Sequence, residues 1–340
     1  MIKIYTDYTF LNKKYRRQIF PLLLDLHFLK DNTLLEYFEL VDNISESDVV
    51  VFPINYVQFL SHRKELNNLL LLSKKNDKPI WLYTGGDYGL TTYIANSYVF
   101  RLGGFDSKLD KKTFIMPSFI NDPYFTHLKA EFKPIKKEEK PSIGFVGHAQ
   151  SGILKYIKEY INFLKYTINR TFKFILADKQ SFYPSSIKRA YYLDKLRKSE
   201  FVNTEFMMCK QYRDGVKTEE DKIKSAQIFY NNIYNNAYTF CLRGVGNFSV
   251  RFYETLATGR IPILIDTDCR LPLENIIDWS KHCVIINKND SLEEQILSFH
   301  NKLSNLEFVK LQELNRELWL NFLRRDSYYK LIYQEFIKYD

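Results

Sequence analysis

The sequence predicts an α/β protein in which two Rossmann-like, doubly wound domains face each other across a cleft. Short apolar runs rich in β-branched and aromatic residues recur along the chain, and stretches with helical periodicity separate most of them. Apolar strands that alternate with helices are typical of parallel sheets covered on both faces. The predicted strands are 2–7, 48–54, 79–85, 113–119, 142–147, 172–178, 238–244, 261–266 and 282–287. The helical stretches include 56–76, 151–168, 184–199, 219–235 and 249–258.

The domain division follows from a polar segment in the middle of the chain. Residues 127–141, HLKAEFKPIKKEEKP, are rich in lysine and proline, and the alternation of strands and helices restarts after them. We therefore expect one domain at 1–130 and a second at 141–305. A helical tail at 306–340 is expected to pack back on the first domain. A chain of 340 residues is long enough for two such domains.

Composition excludes several classes of protein. Hydrophobic residues make up 45% and charged residues 26%, which argues against disordered, collagen-like and coiled-coil chains. No apolar run approaches the roughly 18 residues of a membrane-spanning helix, and the N-terminus does not resemble a signal peptide. We therefore predict a cytoplasmic protein. The net charge of +9 favours phosphate-bearing partners, but it is dispersed and fits a compositional habit equally well.

Glycines are few and grouped. The chain has 12 glycines in 340 residues, about half the ~7% of average proteins. Eleven of them fall into four clusters. Such grouping indicates places where the backbone turns tightly or approaches a ligand. The clusters are Gly85/Gly86/Gly89, Gly103/Gly104, Gly144/Gly147/Gly152 and Gly244/Gly246/Gly259. Three of them follow predicted strands, so we expect them on the walls of the cleft.

Residues 238–279 carry the strongest chemical signal. The strand YTFCL leads into Arg243, Gly244 and Gly246, a loop that can bring amide groups close to an anion. Ser249 is the expected N-cap of the next helix. The first turn of that helix places Arg251 beside the glycine loop. Glycine-loop amides, a helix N-terminus and two arginines suit a diphosphate.

One turn further along this helix, Glu254 is placed to accept the two hydroxyls of a ribose. The alternative is a simple ion pair between Arg251 and Glu254. Asp266 ends the following strand and is expected to line the site. Asp266 and Asp268 have D-x-D spacing, which holds a divalent ion in some transferases, but the neighbouring arginines already supply positive charge. We therefore predict that the site uses no metal and no cofactor.

The run FCLRGVGNFSVRFYETLATGRIPILID, followed by LPL and IDW, resembles the donor-side signature of exostosin-type glycosyltransferases, glycosyltransferase family 47. The match spans about 238–286. The resemblance implies a GT-B fold, an inverting mechanism, and a nucleoside-diphosphate sugar, with a UDP-sugar favoured, held by the second domain. It implies that Arg243, Gly244, Ser249 and Arg251 face the diphosphate and that Glu254 holds the ribose. The first domain would then be the acceptor side.

The chain departs from eukaryotic members because it has no N-terminal anchor and no cysteines placed for lumenal disulfides. This favours surface-polysaccharide synthesis in the cytoplasm, with a glycan or lipid-linked acceptor. A peripheral contact with the anionic inner membrane face is left open. A fainter similarity to fucosyltransferases leaves the donor sugar open. A nucleotide-sugar hydrolase or epimerase and a non-enzymatic basic protein that binds glycan or nucleic acid are the alternatives, but no nucleic-acid-binding motif is present.

An inverting transferase needs a base to deprotonate the acceptor hydroxyl. Asp87, within WLYTGGDYG, is the first candidate, and a turn-capping role is the alternative. Asp7, at the end of the first strand, is the second candidate. His148 follows the first strand of the second domain, where it would bind a phosphate or the acceptor, or cap the next helix.

Overall fold

The computed structural model describes residues 1–209 and 218–337, and within them two parallel sheets form the framework. The first sheet has the order β2-β1-β3-β4-β5-β6 and the second has the order β11-β10-β9-β7-β8. The first comprises β1 (Ile2–Tyr5), β2 (Phe38–Val41), β3 (Val49–Val51), β4 (Ile80–Thr84), β5 (Ser97–Arg101) and β6 (Thr113–Ile115). The second comprises β7 (Ser142–His148), β8 (Asn203–Cys209), β9 (Tyr238–Cys241), β10 (Ile261–Ile265) and β11 (Val284–Ile286). The predicted α/β class with two parallel sheets is confirmed.

Helices connect the strands and end the chain. The first domain has α1 (Pro21–Leu23), α2 (Asn32–Leu35), α3 (Tyr56–Phe59) and α4 (Arg63–Lys75). The second has α5 (Ile153–Thr171), α6 (Ser185–Arg197), α7 (Glu219–Asn235), α8 (Val250–Ala257) and α9 (Leu292–Lys302). The tail is two helices, α10 (Asn305–Leu318) and α11 (Arg325–Ile337). A π-helical segment, Trp319–Leu323, and the extended backbone of Arg324 separate these two.

One predicted strand, 172–178, is wrong. After α5 the chain turns through Lys173, which has a positive φ of 59°, and leaves Phe172 and Phe174 exposed to solvent. The position beside β7 is taken instead by β8, which pairs with it over seven residues. The segment ends at Asp178, which accepts hydrogen bonds from the backbone and hydroxyl of Thr91 and pairs with Arg101 of the first domain.

The segment between the sheets is tied to the second domain. Ile135 exchanges two hydrogen bonds with the side-chain amide of Gln312 on α10, and the Lys137 ammonium donates to the carbonyl of Leu303. Phe132 packs against Gly259, where a β-carbon would overlap the Phe132 ring and where the φ of +68° disfavours other residues. The polar segment is therefore held by specific contacts to neighbouring helices. The proposed domain boundaries stay a prediction.

Helix α11 packs against the first sheet. Its Phe336 ring lies 4.4 Å from the Trp81 ring of β4, and Tyr329 contacts Phe20 and Met116. At the start of the helix, Arg325 lies 2.7 Å from Oδ1 of the buried Asp25, although neither carboxylate oxygen accepts a well-aligned hydrogen bond. Burial raises the pKa of Asp25 from 3.8 to about 7, against the opposing effect of Arg325.

This raised pKa predicts a pH-dependent stability. Because the folded pKa of Asp25 exceeds its unfolded value, the contribution is complete below about pH 4 and is lost as the pH rises through about 7. We expect the free energy of unfolding of the wild type, measured by urea titration, to fall by on the order of 2–4 kcal/mol across this pH range. In D25N, which has no titrating carboxyl at this position, this fall should be absent. D42N, at an exposed position, is the control and should follow the wild-type profile. An unchanged profile in D25N would contradict the assignment.

Candidate functional site

Three of the four glycine clusters meet where the two sheets face each other. The loop after β9 contains Gly244 and Gly246 and lies against the loops that follow β4 and β5. A β-carbon on Gly246 would overlap the carbonyl oxygen of Asp87, and one on Gly103 would lie 2.8 Å from the carbonyl oxygen of Asn247. Neither distance is tolerable, so this close approach of two backbones requires glycine on both sides.

Asn247 fastens this loop. Its side chain is 2% exposed, and its amide nitrogen lies 2.9 Å from the carbonyl oxygen of Gly104 and 2.8 Å from that of Asp268. Its amide oxygen accepts a 2.6 Å hydrogen bond from the Thr267 hydroxyl. The first-domain loop, the glycine loop and the turn after β10 are thereby held in one arrangement.

Arg243 begins the glycine loop and is 5% exposed. Its guanidinium stacks between the rings of Phe105 and Tyr183, at 5.3 and 5.0 Å from their centres, and donates a 2.8 Å hydrogen bond to the carbonyl of Val245. The Nε atom is buried and makes no hydrogen bond within the described structure. Burial lowers the pKa of Arg243.

Arg251 lies in the first turn of α8 and reaches β7. Its guanidinium sits 4.2 Å from the centre of the Phe145 ring and donates a 2.7 Å hydrogen bond to the carbonyl of Val146. A β-carbon on Gly147 would lie 2.7 Å from Nη2, which accounts for the glycine there. The Nε atom is again buried without a hydrogen-bond partner among the described residues.

Arg189, on α6, is a third member that the sequence interpretation missed. It donates hydrogen bonds to the carbonyls of His148 and Arg243, at 2.5 and 3.3 Å, and its Nε atom is also buried and unpaired in the described structure. Burial and the neighbouring Arg251 lower its pKa to about 10, so that the guanidinium stays charged at neutral pH. No local sequence signal marks Arg189, because only the tertiary structure brings α6 to the glycine loop.

These three residues, Arg189, Arg243 and Arg251, are named the arginine cluster. No ion pair joins any of them to a carboxylate within residues 1–209 and 218–337. Like charges that are removed from water raise the free energy unless an anion compensates them. Buried guanidinium groups with unused N–H donors are suited to a phosphate or diphosphate.

The helix beside the cluster also leaves donors available. Ser249 is the N-cap residue of α8, as predicted, but its hydroxyl makes no capping hydrogen bond. The first-turn amides of α8 thus have no side-chain acceptor. Among the described residues, nothing lies within 4 Å of the position that a β-carbon on Gly244 would occupy, so the loop backbone borders open space there. An anion at this point would meet both amides and guanidinium groups.

Glu254 lies one turn below this helix terminus. It is half-buried, and its Oε1 accepts a 3.3 Å hydrogen bond from the hydroxyl of Tyr230 on α7. The ring of Tyr230 in turn stacks on His127 at 4.5 Å. Burial and the nearby Glu254 raise the pKa of Tyr230, so that its hydroxyl keeps its proton and donates.

His148 ends β7 beside Arg189. Its Nδ1 lies 3.1 Å from the carbonyl oxygen of Cys209, and its Nε2 lies 3.1 Å from the hydroxyl of Ser186 near the start of α6. Burial and the positive charge of Lys155 lower its pKa, which favours the neutral ring at pH 7. The ring therefore has a structural role in joining β7 to α6, at the edge of the cluster.

The two carboxylates of the D-x-D turn point to different partners. Asp266 accepts a 3.1 Å hydrogen bond from the backbone of Cys269 and lines a separate cavity of about 560 Å³ with Glu274 and Asp278. Asp268 has a positive φ of 63° and accepts hydrogen bonds from the backbone and hydroxyl of Ser107 in the first domain. No group of three residues with metal-ligating side chains occurs in the described parts of the chain.

The two candidate bases differ in their surroundings. Asp87 is exposed, and its backbone lies against Gly246 on the first-domain side of the cleft. Asp7 is half-exposed and uses Oδ1 to accept from the backbone and hydroxyl of Thr9, at 3.0 and 2.6 Å, which caps a short 3-10 helix, Tyr8–Phe10. The structure brings Asp87, and not Asp7, to the glycine loop.

A second buried arginine site joins the domains. Arg101, 2% exposed at the end of β5, forms a 2.8 Å ion pair with Asp178 and donates to the carbonyls of Gly103 and Tyr88. Sequence reasoning missed it because SYVFR was not recognised as a strand. It fixes the loop that carries Asp87 to the second domain.

Part of this site lies within a region of the chain that is similar to a known protein family. Residues 165–302 match the Exostosin GT47 domain. The chain is also similar to an Exostosin-1 homolog of Caenorhabditis elegans, with 32% identity over 99 residues. That match covers 28% of this chain and 25% of the relative, so the chain spans about a quarter of the length of the curated relative it matches.

Among solved structures, the chain resembles WaaG, a glycosyltransferase involved in lipopolysaccharide biosynthesis, with 9% identity and a TM-score of 0.32 over 97% of this chain and 98% of that one. It also resembles TarM, with 9% identity and a TM-score of 0.31 over 79% and 50%. No helix in the described residues is long and apolar enough to span a membrane.

The family match includes Arg189, Arg243, Arg251 and Glu254, and the two sheets meet at these residues. The predicted resemblance to exostosin-type glycosyltransferases is therefore confirmed by the match over residues 165–302, and the predicted α/β fold is confirmed by the two parallel sheets.

Proposed function

We propose that this protein transfers a sugar from a nucleoside-diphosphate sugar to a glycan or lipid-linked acceptor in surface-polysaccharide synthesis. The observation that carries the proposal is the arginine cluster, which has three buried Nε donors and no described carboxylate partner. A diphosphate supplies the negative charge and the acceptor oxygens that this cluster lacks. We favour a UDP-sugar, and neither a metal nor a cofactor is part of the proposal.

The inverting reaction is a single displacement. The acceptor hydroxyl attacks the anomeric carbon, a base takes its proton, and the bond from that carbon to the diphosphate oxygen breaks. Negative charge develops on the departing diphosphate, where Arg189, Arg243, Arg251 and the first-turn amides of α8 would stabilise it. Asp87 is the proposed base because it approaches from the opposite wall of the cleft.

Metal independence is supported by how the carboxylates are used. Asp266 and Asp268 are engaged by Cys269 and Ser107, in directions that do not converge. The guanidinium groups would supply the charge that a divalent ion provides in D-x-D enzymes. The proposed location is the cytoplasm, and the net charge of +9 supports peripheral contact with an anionic membrane face.

Donor binding is the first prediction of this proposal. We expect one class of nucleoside-diphosphate sugar, among UDP-, GDP- and ADP-sugars, to raise the melting temperature with or without EDTA. A ligand at about 100 times its Kd stabilises the folded state by roughly 2.7 kcal/mol. In E254Q the loss of the charged ribose acceptor should weaken binding about 10- to 100-fold, and E317Q, at an exposed position, should not. The absence of any shift with folded protein would favour a non-enzymatic binding protein.

The missed arginine gives a second prediction. We expect R189A to weaken binding of UDP about 10- to 100-fold by calorimetry and to leave binding of uridine unchanged, because Arg189 would contact only the diphosphate. R197A, two turns along the same helix and exposed, is the matched control. Equal losses for UDP and uridine would show that Arg189 acts through the fold of the site rather than through the diphosphate.

The two candidate bases give a third prediction. D87N should lower the rate of donor hydrolysis by water, which needs no acceptor, about 100-fold or more and leave donor affinity intact. D7A should lower stability by about 1 kcal/mol through loss of its cap and leave this rate unchanged. The reverse pattern would make Asp7 the base and Asp87 a turn residue.

A further inference from the structure

Helix α5 carries its apolar side chains on the face that points away from the protein. Within it, no residue is buried. Six aliphatic residues recur at spacings of three and four along this face: Ile153, Leu154, Ile157, Ile161, Leu164 and Ile168. Their exposed fractions range from 40% at Leu164 to 81% at Leu154. We name these six residues the α5 face.

The opposite side of the helix is polar and packs on the protein. Lys155 and Glu159 form a 3.3 Å ion pair there, with each side chain only 16% exposed. Arg170 donates to the carbonyl of Ala177, and the Tyr166 hydroxyl donates to the carbonyl of Asp178. A surface helix ordinarily directs its apolar stripe to the core. This helix does the reverse, which marks the α5 face as a contact surface.

The apolar surface continues beyond the helix. Phe172 and Phe174 are 68% and 79% exposed, and Ile175 and Leu176 are also open to solvent. This is the run that sequence analysis assigned to a buried strand. It lies on the surface next to the helix, so the apolar patch has both an aliphatic stripe and aromatic side chains at its end.

The charges around the patch identify its partner. Five basic residues lie between 151 and 177, against one acid, Glu159, which is paired with Lys155. Lys158, Lys165 and Lys173 are exposed beside the apolar side chains. A second copy of the chain would bring like charges together, whereas anionic lipid headgroups are complementary. An apolar helix face flanked by lysines is the pattern of helices that lie in a membrane interface.

The patch is coupled to the cleft. The ring of Tyr166 on α5 lies 4.4 Å from the ring of Tyr88, the residue after Asp87. The helix begins five residues after His148, at the edge of the arginine cluster. A surface bound to the α5 face would therefore lie near the cleft, where a membrane-borne acceptor could enter.

We propose that the α5 face and residues 172–176 dock the protein onto an anionic lipid surface. The inference that the acceptor is lipid-linked rests on the proposed function, and the docking itself does not. The apolar side chains would enter the acyl boundary while the lysines contact the headgroups.

The test is co-sedimentation of the full chain with vesicles of phosphatidylcholine alone or of equimolar phosphatidylcholine and phosphatidylglycerol. We expect binding to the anionic vesicles that weakens as salt is raised. The triple variant I157S/I161S/L164S should lose roughly tenfold or more in its partition coefficient between vesicles and water. The variant lacks three aliphatic side chains whose transfer from water into the lipid would favour binding. L71S/I223S/L306S removes three exposed aliphatic residues from other helices and should bind as the wild type does.

The outcomes separate docking from catalysis. Wild-type protein that stays in the supernatant, or a triple variant that binds unchanged, overturns the proposal. A dimer in light scattering that the triple variant dissolves would instead assign the α5 face to a second copy. Melting shifts with nucleotide sugars, read in parallel, test the donor site alone, so that vesicle binding without any such shift would retain the docking surface and reject the proposed function.

Discussion

The buried amide of Asn247 is the constraint on which the rest of the site depends. One side chain contacts the glycine loop, the turn after β10 and the first-domain loop at Gly104, all without access to water. A buried amide that lost these partners would carry a desolvation cost, so the three segments are fixed as a unit. This unit fixes the positions of Arg243 and of the start of α8, which lie on either side of Asn247 in the chain. The proposed donor site therefore depends on the contact between the domains.

The arginine cluster is the energetically unfavourable part of this arrangement. Three guanidinium groups are partly or fully removed from water, supported by carbonyl oxygens and aromatic rings rather than by described carboxylates. Burial and repulsion by Arg251 lower the pKa of Arg189, because both disfavour the charged form of its guanidinium. A sequence selected for stability alone would pair these charges, and departures from that rule are expected where function requires them.

Sequence patterns predicted most strands of the two sheets and several residues that lie at the candidate site, including Arg243, Gly246 and Arg251. Eight apolar runs became strands, and two of the three glycine clusters expected on the cleft walls, those after β4 and β9, lie against each other there, because both signals depend on local residue types. Strands β2, β5 and β8 were missed because each contains a charged residue, Glu39, Arg101 or Glu205, that breaks the apolar pattern. The run at 172–178 failed for the converse reason. An apolar run does not say which position in a sheet is free, and β8 occupies the one beside β7. Arg189 was missed because only tertiary structure brings α6 to the glycine loop.

Two departures from ordinary protein architecture flank the end of β7. On one side, charged side chains are buried with unused donors at Arg189 and Arg251, and on the other, aliphatic side chains of α5 face solvent. Each is unfavourable for an isolated chain, and in our proposals each would be relieved by a different chemistry: a diphosphate for the arginines and an apolar phase for the helix. A lipid-linked acceptor and a nucleotide-sugar donor bring these two chemistries to one reaction. Their proximity here is what links the proposed transfer to a membrane surface.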